Sequence, residues 1–406
     1  MKNLLLLVLV LSVFTQLSAQ TTGDFRTAAS GDWSLASTWQ RFNGASWVSA
    51  PSAPTSTDGV ISILNSHTIT ITTPVTADQV VVNAGGVLSQ SVVFTIDDGP
   101  GNDLTVDGTW NFSSGQIDGA GNAVISASGI LNLLTTNNKF LVAAVTNNGT
   151  LNWQDGPFLY NAVTTFTNNG SMNISGNNNL QNNAGAGTFI NNGSITKTST
   201  GTTSFFLTAF TNTGAIHLNA GGISNSSTFN NSGTLNFASG SFTNNSGVAF
   251  NHNAGSVING TGAFTNNGTF SLAVDQVFPS TLIFSNTNGG TVNGAGNLTI
   301  NNDFILSGDI TGSGTLTING NTTWNSGTIG RAFTNGAPNS ITLGTTNNKF
   351  ISAAIVNNGT LDWQDGPFLY NAVTTFTNNG SMNISGNNNL QNNAGAGTFI
   401  NNGSIT

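Results

Sequence analysis

The chain has 406 residues, a formal charge of −8 and only 5% charged residues, and all of its fifteen acids are aspartate. Seven Lys or Arg leave no basic stripe for nucleic acid, and the scarcity of Glu and Lys against abundant Asn, Gly and Thr excludes a helical protein. Twenty-six Phe with regular Val, Ile and Leu provide enough apolar surface for an ordered core, so the composition points to β structure rather than disorder.

Met1-Lys2-Asn3 followed by the apolar run Leu4–Phe14 is too short to span a bilayer and reads as a secretory signal peptide cleaved near Ala19. The mature chain is expected to be secreted or held on the outer cell surface, with no membrane span. The absence of cysteine leaves it without disulfides. Residues 20–58 carry Trp33, Trp39, Trp47, Arg26, Arg41, Pro51 and Pro54, and form an N-terminal capping segment. Residues 59–108 hold the first strand-like runs, among them the alternating His67-Thr68-Ile69-Thr70-Ile71-Thr72.

Within that stretch lies the densest acidic cluster, Asp97, Asp98 and Asp103, with Asn102 and Asp107 nearby. Oxygen ligands on a Gly-rich turn suit Ca²⁺, the one cofactor the sequence suggests; the alternative is a solvated turn between strands. His67, His217 and His252 are too scattered along the repeat to suggest a metal triad.

From residue 109 to 406 a phrase recurs: an apolar residue, then polar-Asn-polar-Gly. Its glycines fall at 149, 170, 193, 214 and 233, in steps of 21, 23, 21 and 19. That spacing predicts an all-β parallel β-helix (β-solenoid) with coils of about 19–23 residues, roughly sixteen of them in a rod on the order of 75 Å long. The glycines are expected to line up at one corner, as residues that tolerate a left-handed conformation. Asparagine is expected to stack in amide ladders. Like charges in such a column would repel by roughly 3 kcal/mol. Aspartate at Asn168, Asn191 and Asn212 should therefore weaken the stack, most at low salt.

The most enzyme-like group is Lys139, Trp153, Asp155, Phe158 and Tyr160. It is duplicated as Lys349, Trp363, Asp365, Phe368 and Tyr370 because residues 345–406 repeat residues 135–196 at an offset of 210 with five changes. Trp153, Asp155, Tyr160 and their copies Trp363, Asp365, Tyr370 could form an aromatic platform for a sugar; the alternative is an elaborated turn. Glycoside hydrolysis usually needs two carboxylates, and Asp362 joins Asp365 only in the second copy, so no enzyme is expected. Since Phe399–Thr406 matches the interior phrase Phe189–Thr196, the chain reads as truncated and as able to self-associate end to end.

The stretch Gly31-Asp32-Trp33-Ser34, Thr38-Trp39, Pro51, Pro54 and Asp58 through Ile71 resembles the eight-glycine extracellular domain family, with Ser66 standing where that pattern has glycine. It is also similar to the openings of secreted Bacteroidota surface proteins with β-strand repeats. The resemblance implies a parallel β-helix, export by type IX secretion, and an adhesin-like role toward surface glycans or matrix proteins. The alternative function is a carbohydrate-binding or polysaccharide-cleaving β-helix.

Overall fold

The computed structural model describes residues 20–100, 102–386 and 388–406. The signal-peptide reading of residues 1–19 falls outside the described residues. About sixteen parallel coils stack into a β-solenoid, and the one helical element among the described residues is the short 3-10 turn Ala36–Thr38. No helix among the described residues is long and apolar enough to cross a membrane.

Each coil contributes strands to three faces. The first face starts with Ile61–Ile63, Val80–Val82 and Leu104–Val106, the second with Thr68–Ile71, Val87–Gln90 and Thr109–Phe112, and the third with Val75–Ala77, Phe94–Ile96 and Gly115–Asp118. Alternate residues of each strand point inward, so Phe and aliphatic side chains meet their counterparts one coil away. On the first face Phe166, Phe189, Phe210, Phe229 and Phe250 lie in register, their rings 4.9–5.2 Å apart and nearly parallel.

Residues 25–49 lie against the first coil. Phe25–Thr27 pairs antiparallel with Trp39–Phe42 and parallel with the first coil at Ile61, and Trp39–Phe42 pairs with Trp47–Ser49. Trp33 and Trp39 are buried edge to face, and Trp33 reaches Phe94 inside the solenoid. Ser66 adopts φ 67°, in the left-handed region where glycine is at ease.

The recurring glycines do align, but for a different reason from the one expected. Gly149, Gly170, Gly193, Gly214 and Gly233 are not in the left-handed region. A Cβ at any of the last four would sit 2.0–2.1 Å from the carbonyl oxygen of the glycine one coil below. Only glycine lets the backbone stack that closely at this corner. Coil length varies freely between these fixed points.

Asparagine ladders are present and lie inside the rod. Asn147, Asn168, Asn191, Asn212 and Asn231 are fully buried, each Nδ2 donating to the next Oδ1 at 2.7 Å. The same Nδ2 of Asn147 donates to Ser171 O and its Oδ1 accepts from Gly149 N, so the amide closes the corner as well as the stack. Asn231 then donates to Ser256 Oγ, which meets His252 Nδ1 at 2.6 Å, and the imidazole takes the next place in the column. A second, exposed column runs the opposite way, Asn192 to Asn169 to Asn148.

The duplicated block returns on a different side of the rod. Following the third face from Lys139–Leu141, ten coils lead to Ser340–Gly344, and the chain then moves one face on before Lys349–Ile351. Lys349–Ile351 therefore pairs along the first face, over the end of the long strand Thr322–Ile329, which itself turns the corner from third face to first.

Candidate functional site

The duplicated group folds around its lysine. Lys139 occupies an inward position of the strand Lys139–Leu141, in phase with Leu141. The turn Gln154-Asp155-Gly156 wraps over it, helped by the left-handed Gly156 at φ 74°. Nζ donates to the carbonyl oxygens of Thr135 and Asn137 at 2.8 Å and of Asp155 at 3.1 Å. Burial pushes this lysine down to about 8, with the Asp155 charge opposing the shift. In the copy, Lys349 Nζ donates to Thr345 O and Asp365 O, and burial pushes it down to about 8 as well.

The aromatic platform expected from the sequence does not form on the surface. Trp153, Tyr160, Trp363 and Tyr370 all lie in the core, as do Phe158 and Phe368. The indole of Trp153 donates to Gly156 O at 2.8 Å and that of Trp363 to Gly366 O at 2.7 Å, clamping the turn. Tyr160 and Tyr370 each donate to a backbone oxygen one coil on, Thr188 O and Thr398 O. Burial raises both phenols, Tyr370 to about 12. Asp155 and Asp365 use one carboxylate oxygen to hold the Gly156 and Gly366 amides. These residues build a turn and leave no ring for a sugar to stack on.

The same logic governs the other cations of the solenoid. Lys197 is buried, with Nζ at 2.5 Å from Ser199 Oγ, and burial pushes it down to about 8. Arg331 is buried and donates to Thr311 O, Gly296 O and Gly294 O. Strand parity carried this signal, since Lys139 and Lys197 share the inward phase of Leu141 and Ile195. Lysine, arginine and tryptophan here close corners that coils leave with unpaired carbonyls.

Asp97, Asp98 and Asp103 do not converge. The first two are exposed, Asp103 is fully buried, and among the described residues no three His or Asp side chains are grouped to hold a metal ion. His252, pushed down to about 4 by burial, is part of the inner column. Trp47 is the one tryptophan not buried; Arg26 stacks on it at 4.4 Å and Phe42 packs beside it.

Part of the solenoid's outer surface carries no charge. Between Asp155 and Asp275 the only formal charge is Lys197, which is buried. Outward positions on the first face there read Thr165 and Thr167, Thr188 and Ile190, Ala209 and Thr211, Thr228 and Asn230. Exposed apolar residues include Val163 and its copy Val373, 85% and 86% exposed. Comparison with protein-family models, with curated proteins and with solved structures gave no match.

Proposed function

We propose that this protein is an exported display rod: a structural or adhesion protein that stands at the cell surface or in the extracellular matrix. The observation that carries the reading is the neutral belt between Asp155 and Asp275, where exposed hydroxyls and amides recur at each coil and every formal charge is turned inward. Such a surface suits many weak hydrogen bonds to neutral surface glycans or matrix proteins, and lacks the convergent acid and base that hydrolysis or elimination needs. The resemblance of the N-terminal segment to secreted surface proteins supports export, by the type IX route in that reading.

The test is retention of labelled protein on arrays of neutral glycans and on matrix proteins, with Thr165→Lys, Thr188→Lys and Thr228→Lys combined as the control. Saturable retention that falls at least tenfold in the triple variant is expected. Retention unchanged by three added charges, or release of unsaturated or reducing ends from polysaccharides at enzymatic rates, would sink the proposal.

A further inference from the structure

Asp103 entered the argument as one of three calcium candidates, yet its partner is a residue outside that cluster. Leu104 pairs in register with Val80, and Val80 N donates to Asp103 O at 2.8 Å, so Asp103 lies one coil above the corner that holds Asp78. Asp103 is fully buried and Asp78 nearly so. Asp103 Oδ2 accepts from the backbone N and the Nδ2 of Asn122, at 2.7 and 2.8 Å. Asp103 Oδ1 is buried with no hydrogen-bond partner. The Asp78 carboxylate accepts from the backbone N–H groups of Gln79 and Gly99 and lies within hydrogen-bonding reach of Asp103.

Two buried carboxylates in contact cannot both stay ionised cheaply, and an unpaired buried oxygen adds to the cost. No lysine or arginine acts on Asp78; Gln79 Nε2 is engaged with Pro100 O, and Asp97 and Asp98 face solvent. Calcium takes six to eight oxygens, whereas this corner has two carboxylates already accepting four N–H bonds. A single proton fits: carried by Asp78, it gives Asp103 Oδ1 the donor it lacks.

We propose that Asp78 and Asp103 share one proton and form a clasp between successive coils that is closed in acid and loosens as pH rises. Burial, with the Asp103 charge, raises the pKa of Asp78 above its ordinary value. The folded corner therefore holds a proton that the unfolded chain has released. The clasp contributes in full below the ordinary carboxylate range and is lost as pH climbs through the raised value of the pair.

Carboxyl ¹³C titration of the intact protein tests this, together with hydrogen exchange at the Gly99 and Leu104 amides corrected for the intrinsic pH dependence of exchange. One proton should persist on the pair above the ordinary carboxylate range, and protection should fall at least tenfold as it leaves. Asp103→Asn supplies a permanent donor, so its upper titration step should vanish and its protection should stay at the acid level through neutral pH. Asp78→Asn should do the same from the other side, which guards against misfolding of either variant. Ionisation of both groups within the ordinary carboxylate range, with pH-independent protection, would overturn the proposal. So would millimolar Ca²⁺ tightening the wild-type corner at neutral pH but neither variant, which would make the pair a metal site.

Discussion

Residues 135–196 and 345–406 set nearly the same letters in two surroundings. Inside the coil the main contacts recur: Lys139 and Lys349 each donate to the aspartate of the turn that covers them, Trp153 and Trp363 clamp the equivalent glycine, and Tyr160 and Tyr370 reach the equivalent carbonyl. Burial does change. Ile174 and Ile195 are fully buried, whereas Ile384 and Ile405 are 38% and 46% exposed, because Lys197–Leu218 covers the first copy and no described coil covers the second. The cross-section of a coil is thus set by its own sequence, while the dryness of its core is supplied by the next coil, as nearest-neighbour stacking requires.

The largest contrast should come from charge in the inner ladder. Asn168→Asp, Asn191→Asp and Asn212→Asp combined put three carboxylates at fully buried positions, and should destabilise by more than about 5 kcal/mol, since one uncompensated buried charge costs about 3–5 kcal/mol. Because the column is inside the rod, the loss should depend little on salt, unlike the salt-dependent repulsion expected from sequence. Asn401→Asp, at an exposed position of the copy, should be tolerated. Equal chemical-denaturation shifts for Asn191→Asp and Asn401→Asp would break the comparison.

Phe189→Ala should cost about 3–5 kcal/mol, the usual range for a buried phenylalanine, and Phe399→Ala, only partly buried, about 1 kcal/mol. Grafting residues 197–218 after Thr406 should bury Ile384, Leu390, Phe399 and Ile405 and stabilise the last coils by roughly 3 kcal/mol, read as slowed hydrogen exchange of their amides.

The lysines sharpen the comparison from the other side. Their pKa values fall from 10.5 to about 8 on folding, so between those values the unfolded chain holds more protons and stability should rise with pH. Lys139→Met and Lys349→Met should each flatten that rise by a similar amount in thermal melts, since each ammonium is enclosed by its own turn. Smallest of all, Ser66→Gly should stabilise by up to about 1 kcal/mol by relieving the left-handed serine.

The fold was legible because glycine and phenylalanine repeat at the coil period, and Gly149 through Gly233 mark one corner whatever their local reason for being glycine. The aromatic cassette reads as either a sugar platform or an elaborated turn when strand parity is ignored, and the turn is what forms. Lys139 in phase with Leu141 already placed its ammonium inside. The Asp78–Asp103 contact was not legible, since only the register of Leu104 on Val80 brings residues of two coils together.

The extra face between the two copies has a consequence for valency. Val163 and Val373, exposed at equivalent corners, sit ten coils and about a third of a turn apart, on the order of 50 Å along the axis at one strand spacing per coil. A flat partner touching one corner is turned away from the other, so the duplication adds no avidity toward a single surface. Under the proposed display role, the two corners would be aimed at separate partners.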